Sequence, residues 1–346
     1  MRVMVTGHRG YIGPHVVRHL KALGHEVVGL DTGLYRGCAT GELDSVPTIV
    51  KDVRDAEKED FAGVDAVIHL AGLSNDPLGE FDQQLTYDIN TWGSVRVATK
   101  AKEAGVKRFV FASTCSVYGA QGDTMIDESA PTNPVSPYAR SKLMAEGEIS
   151  KIADDSFCPV YLRPGTAFGA SPMLRFDLVL NNLVAWATAT HRVHVKSDGT
   201  PWRPLVHCED IARAFVAAVL APRELVFNQP FNVGATDANY RIREVAEVVA
   251  KAVPGSTVEF ANTPDPDKRS YRVSFKKLNS TLEAWKPAWN AAAGADQIYD
   301  TIQTMKLTAQ DFEGARYNRL PHLKKLIKEG YLDESFRWIH QPEARV

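Results

Sequence analysis

The sequence predicts an α/β protein: a doubly wound parallel sheet followed by a smaller α/β substrate domain. Three observations carry this. Apolar strand patterns alternate with amphipathic helix patterns through roughly the first half of the chain, the order that makes neighbouring strands parallel. The first strand–helix junction is glycine-rich, Gly7-His8-Arg9-Gly10-Tyr11-Ile12-Gly13. The second strand ends on an acid, Asp31, 18 residues past Gly13.

Taken in order, residues 2–6 read as a short buried strand, and Val16, Val17, Leu20 and Leu23 mark the helix that follows and stops at Gly24. Residues 25–30 form the second strand. Glycines in that turn let backbone approach a pyrophosphate at a helix N-terminus, and Asp31 stands where an acid accepts from a ribose 2′-hydroxyl. This predicts a dinucleotide site. Asp31 favours NAD, because a 2′-phosphate would face its charge; Arg36 nearby leaves NADP open. Pro14 suits a first helical turn. Residues 48–53, 65–70, 109–112 and 160–165 supply further strands.

In Tyr138-Ala139-Arg140-Ser141-Lys142, helical spacing puts Tyr138 and Lys142 on one face. An ammonium beside a phenol favours the phenolate, so the pair is expected to lower the tyrosine pKa and make it a usable proton-transfer group. A surface helix pair is the bland alternative.

Beyond residue 169 the pattern changes. Residues 176–187 read as a helix carrying Asn182, and 198–203 as a turn presenting Arg203. Asp210 lies near the start of the next helix, 230–234 is a returning strand and 242–253 a helix. A Pro/Asp loop over 263–267 precedes Arg269. The expected division is 1–168 for the dinucleotide domain, with 203–222 and 230–236 returning to it, and 169–202 plus 237–346 for the substrate domain. The tail from Asp296 is expected to pack over the substrate domain, with an oligomer contact second.

With 346 residues and 44% hydrophobic content the chain can build one or two cores. A net charge of −2 and a pI near 6.6 point away from nucleic acid and from a basic membrane patch. Cys38, Cys115, Cys158 and Cys208 show neither metal nor disulfide spacing, so a reducing cytoplasm is expected. The ten histidines form no metal grouping, and no metal is expected. No signal peptide and no run of transmembrane length is visible.

The glycine spacing, Tyr138 and Lys142 together resemble the short-chain dehydrogenase/reductase superfamily in its extended, nucleotide-sugar-modifying branch. The resemblance covers about residues 1–290. It implies cofactor contacts from Gly7, Gly10, Tyr11, Ile12, Gly13 and Asp31 and from Asp52 and Val53 beside the adenine. It further implies Leu70, Ala71 and Gly72 under the cofactor, and Asn90, Ser113, Tyr138, Lys142 and Arg163 toward the nicotinamide. It implies NAD as hydride carrier, Tyr138 as proton acceptor, Lys142 as its support and Thr114 as a hydrogen-bond partner of the reacting oxygen. Arg203 and Arg269 would grip the sugar-nucleotide diphosphate or base through bidentate guanidinium contacts, or be surface ion pairs. Ser74 and Asn75 are either sugar contacts or a capped turn.

Dehydratases of the branch carry Asp-Glu after the threonine, and decarboxylating members a Glu at the second position; here the pair is Cys115-Ser116. The expected activity is therefore a nucleotide-sugar epimerase acting at C4. Cys115 keeps a dehydratase or ketoreductase open as an acid/base, against a small buried residue. From another class, a non-catalytic dinucleotide sensor is disfavoured by the complete Thr114, Tyr138, Lys142 set. The branch often dimerises through helices that here span 82–104 and 136–152, so a homodimer with a four-helix contact is expected.

Overall fold

The computed structural model describes residues 1–261 and 270–340. In the first half the order is β1 (Arg2–Thr6), α1 (Gly13–Ala22), β2 (Glu26–Asp31), β3 (Thr48–Val50), β4 (Ala66–His69), α2 (Asp76–Phe81), α3 (Gln83–Thr86), α4 (Ser94–Glu103), β5 (Arg108–Ala112), β6 (Met125–Ile126), α5 (Pro137–Ser150), β7 (Cys158–Pro164) and β8 (Thr166–Phe168). The second half adds α6 (Val179–Thr190), β9 (Arg192–Val195), β10 (Trp202–His207), α7 (Cys208–Leu220), α8 (Arg223–Val226), β11 (Gln229–Val233), β12 (Asn239–Arg241) and α9 (Ile242–Ala252). It closes with β13 (Thr257–Phe260), β14 (Arg272–Val273), α10 (Lys276–Thr281), α11 (Ala291–Met305), α12 (Ala309–Glu313) and α13 (Arg319–Lys328).

Seven parallel strands form the main sheet in the order β11-β7-β5-β4-β1-β2-β3. The chain starts at β1, winds outward to β3, then restarts on the other side of β1 with β4. That reversal leaves a crevice outside the carboxyl ends of β1 and β4, where ligands of open α/β sheets bind. Strands buried on both faces are near-continuously apolar, as Val3, Met4, Val5, Val67 and Ile68 show. On one face α1 and α7 pack through Val16, Leu20, Ile211 and Phe215. On the other, α4 and α5 pack through Val97, Ala101, Ala145 and Ile149. A separate core of α6, α9 and α11, with Val184, Val249 and Ile298, supports the second half.

Several expected elements differ in detail. The strand predicted over 48–53 stops at Val50, because the Asp52 carboxylate accepts from the Arg54 backbone at 2.8 Å and caps a 3₁₀ turn, Val53–Asp55. The helix predicted over 176–187 begins only at Val179. Asp177 is tied back to Arg175 at 2.7 Å, which holds the entry extended. Residues Tyr87–Gly93 widen into a π-turn, a feature frequent at functional sites. The tail divides: α11 and α12 join the substrate-side core, but Leu323, Leu326, Leu332 and Phe336 pack into the dinucleotide-side core. Apolar spacing alone could not say which core the tail would seek. Arg269 and the 263–267 loop lie outside the described residues.

Candidate active site

A cavity of about 700 Å³ opens at the crevice, walled by the segments that follow β1, β2, β4, β5 and β7. At its floor Gly7 has φ +71°, and a Cβ there would lie 2.7 Å from the Ala71 nitrogen. A Cβ on Gly13 would meet the His8 carbonyl oxygen at 2.3 Å. The turn is therefore built of glycine because backbone crowds it from behind. The N-cap of α1 is Ile12, which offers no capping side chain, and the first turn carries no acid. The unsatisfied N–H groups and the positive end of α1 are left for an anion.

Asp31 is oriented by the backbone N–H groups of Gly33, at 2.7 Å, and Arg9, at 3.1 Å. That leaves carboxylate lone pairs for a ribose. Arg36 is exposed and stands outside the cavity wall. Asp52, Val53, Leu70, Ala71 and Gly72 line the same wall. A Cβ on Gly72 would lie 2.9 Å from Asn90 Oδ1 and 3.2 Å from Lys142 Nζ, so the floor is glycine where the ammonium approaches. These features fit NAD: a glycine cradle, an uncapped helix start and an oriented acid. The residues that would hold it are Gly10, Tyr11, Ile12, Gly13, Asp31 and Lys142.

Asn90 sits beneath the wall rather than on it. It is fully buried, exchanges hydrogen bonds with the Leu73 backbone at 2.7 and 3.0 Å and donates to Ser141 Oγ at 3.1 Å. It positions the Leu73 loop against α5. Ser113 and Thr114 line the cavity at the end of β5, and the Ser113 hydroxyl is buried without a partner among the described residues. The Thr114 side chain accepts from the Ser116 backbone at 3.1 Å, fixing its rotamer.

Ser136 caps α5 through the Ala139 N–H at 3.2 Å and donates to Asp76, and Pro137 opens the first turn. This places Tyr138 and Lys142 in the cavity wall together. Lys142 Nζ lies 4.9 Å from the centre of the Phe111 ring, and burial lowers its pKa to about 8. The expectation of a lowered Tyr138 pKa does not hold for the unliganded chain. Burial raises it, and Asp76 adds to the rise; the Thr114 hydroxyl opposes them. The phenol of the unliganded chain therefore holds its proton more tightly than a free tyrosine.

Besides Asn90, two further expected site residues lie off the wall. Arg163 forms a buried clamp with Glu146, at 2.9 and 2.5 Å, and donates to the Tyr118 hydroxyl at 3.1 Å. It points behind β7, and Pro164, Gly165 and Thr166 reach the cavity in its place. Cys115 is fully buried, donates to the Arg163 carbonyl at 3.0 Å and does not line the cavity. Burial pushes its thiol up, and the structure shows it as a packed residue away from the cavity wall. Arg163 is turned away by the side-chain alternation of β7, and Cys115, the first residue of the 3₁₀ turn Cys115–Tyr118, points back onto the Arg163 carbonyl.

On the substrate side Ser74, Asn75, Asn182 and Arg203 line the cavity. Asn75 also caps α2 through the Leu78 N–H at 3.1 Å, so the capped-turn reading and the wall position hold together. The sequence reading missed Tyr35, Arg175, Asp177, Tyr271, Arg319 and Phe336 in this wall. The Arg175/Asp177 spacing was a visible signal. Arg319 and Phe336 carried none, since they reach the cavity only through the tail's choice of core.

Fold and site together define a dinucleotide-binding α/β protein whose cavity wall carries a tyrosine and a lysine one helical turn apart. The chain belongs to the NAD dependent epimerase/dehydratase family, whose model matches residues 3–234. It is 32% identical over 315 residues to a UDP-glucose 4-epimerase of Azospirillum brasilense, covering 83% of this chain and 87% of the relative. A Thermus thermophilus UDP-glucose 4-epimerase solved with NAD superposes with a TM-score of 0.71 at 27% identity, covering 88% of this chain and 99% of that one. MoeE5 in complex with UDP-glucose and NAD gives 0.75 at 26% identity, covering 88% of this chain and all of the other.

Proposed function

We propose that this chain is an NAD-dependent nucleotide-sugar epimerase that oxidises a sugar hydroxyl, at C4, to a ketone and returns the hydride to the opposite face. The observation that supports it is the make-up of the wall around Tyr138: Thr114 hydrogen-bonds the phenol, Lys142 lines the same cavity, and the two positions after Thr114 offer a buried thiol and a serine. A 4-epimerase needs only hydride and proton exchange and room for the keto sugar to turn.

Bound NAD would supply a hydride acceptor whose ring carries positive charge. That charge, with Lys142, offsets the burial that holds the Tyr138 proton in the unliganded chain. Tyr138 then takes the hydroxyl proton as the carbon–hydrogen bond gives up its hydride, and returns it when the hydride comes back. Thr114 holds the reacting oxygen. Arg203 on β10 and Asn182 on α6 are the residues we assign to the nucleotide-sugar. UDP-sugars are the first to test, since the relatives named above act on or bind UDP-glucose.

Dehydration is the second reading, favoured by one observation: Asp76, beside Tyr138, is a carboxylate in the same wall. A panel of nucleotide sugars incubated with the protein in deuterated water, read by chromatography and mass spectrometry, separates the two. A new peak of unchanged mass is the expected outcome. A product lighter by one water would replace the epimerase reading with the dehydratase; one incorporated deuterium would mean carbon-acid chemistry beside the ketone.

We further propose a homodimer through the helical segments 82–104 and 136–152. Trp92 in the first and Met144 in the second support it, being 47% and 39% exposed. Light scattering should return the mass of two chains, and Trp92→Glu should return one; a single-chain mass for the unaltered protein removes the proposal.

A further inference from the structure

The tail closes the cavity near Tyr35, in the loop after β2, and brings a second buried guanidinium with it. Arg175 lies 5.9 Å from the centre of the Tyr11 ring, in the glycine-rich turn, and Arg319 lies 4.2 Å from that of Tyr35. Asp177 stands between them. Its oxygens accept from Arg175 at 2.7 and 3.0 Å, from Asn75 at 2.9 Å and from the Arg319 backbone at 3.4 Å. One carboxylate faces two guanidinium groups, so the cluster carries one excess positive charge.

Arg319 is 2% exposed. Its Nη2 donates to the Met173 carbonyl at 3.1 Å. Its Nη1 is shielded from solvent and meets no acceptor among the described residues. Burial and the neighbouring Arg175 both disfavour its charge. An unpaired donor on a buried cation is costly, and such groups in folded proteins have a reason to persist. The reason here is an anion that arrives with a ligand. Of the uncapped, acid-free helix starts on this wall, that of α1 lies beside Tyr11, over whose ring Arg175 stands, and there a diphosphate seats.

We propose that Arg319 is a ligand of a bound diphosphate, that of NAD, which makes the C-terminal tail part of the cofactor site. The inference rests on the dinucleotide alone and is independent of which sugar is turned over. It is tested by binding, without turnover.

Titrations of nucleotide-free, full-length protein with NAD, ADP, adenosine and UDP are compared for Arg319→Met and the unaltered chain. Loss of a charge-assisted hydrogen bond should weaken NAD and ADP by about 10- to 100-fold. Adenosine, which has no phosphate, should change less than twofold, as should UDP. The ligand-free thermal midpoint should stay equal or rise, since an orphaned buried cation is gone. NAD affinity within twofold of the unaltered chain would reduce Arg319 to a packing residue. An equal loss on adenosine would assign the effect to tail packing, and a loss on UDP alone would move the contact to the substrate's diphosphate; each overturns the proposal. Should Arg319→Met fail to fold, the same titrations on Arg319→Lys decide it. A single ammonium nitrogen does not reproduce the spacing of Nη1 and Nη2, so NAD and ADP should weaken while adenosine is spared.

Discussion

Lys142 is 4% exposed, and its charge is held against burial. Its folded pKa, about 8, lies below the unfolded lysine value near 10.4. The unfolded chain therefore binds more protons between these two values, and stability of the ligand-free protein should rise with pH across that window and be flat below it. Lys142→Met should remove this slope and stabilise the ligand-free protein at neutral pH by about 1–3 kcal/mol, while abolishing turnover. Chemical denaturation at pH 7 and pH 10 checks both signs; a Lys142→Met chain less stable than the parent would contradict them. Tyr138→Phe should lower kcat by about 100- to 10,000-fold with NAD binding retained. Cys115→Ala should leave turnover within a few fold, because the thiol faces the Arg163 carbonyl and not the cavity.

At the scale of elements, α5 is held to β7 by the Arg163–Glu146 clamp, with side chains 7% and 8% exposed. Removing one partner of a buried pair strands the other, so Glu146→Ala should cost about 3–5 kcal/mol of unfolding free energy. NAD affinity of the folded fraction should not change, as it would if Arg163 were a cofactor ligand. The tail helix α13 buries Leu323 completely against the dinucleotide-side core. Leu323→Ala should cost about 2–5 kcal/mol, measured by urea unfolding; a surface tail would lose under about 0.5. Further along, Arg54 donates to the Ser335 carbonyl at 2.9 Å and Trp338 to the Thr32 carbonyl at 2.7 Å. These bonds lace the tail across the loops after β2 and β3.

Over the whole molecule, the cavity is shared by the main sheet, the substrate-side helices and the tail. A ligand that touches all three should make them unfold as one. NAD at a hundred times its Kd should add about 2.7 kcal/mol and merge any separate transitions into a single one. Calorimetry with and without NAD reads this directly, and two transitions persisting at saturation would show that the ligand bridges nothing. None of the described helices is long and apolar enough to cross a membrane.

The strand–helix alternation, the glycine cradle, Asp31 and the Tyr138/Lys142 pair were legible in the sequence because each depends on local spacing, while Thr114 came only with the family resemblance. Glycines mark where backbone must crowd, and an i, i+4 pair shares a helix face wherever the helix goes. What spacing cannot give is which side of an element meets the cavity. Cys115 and Arg163 each neighbour a lining residue and point the other way, a choice made by the buried partners Arg163 and Glu146. Nor can spacing place distant segments. Arg319 and Phe336 reach the cofactor wall because α13 packs into the dinucleotide-side core, and that follows from the shape of two competing apolar surfaces. The pKa of Tyr138 was likewise a tertiary matter. The adjacent lysine argued for a lower value, but burial in the assembled cavity outweighs it and holds the proton more tightly than in a free tyrosine.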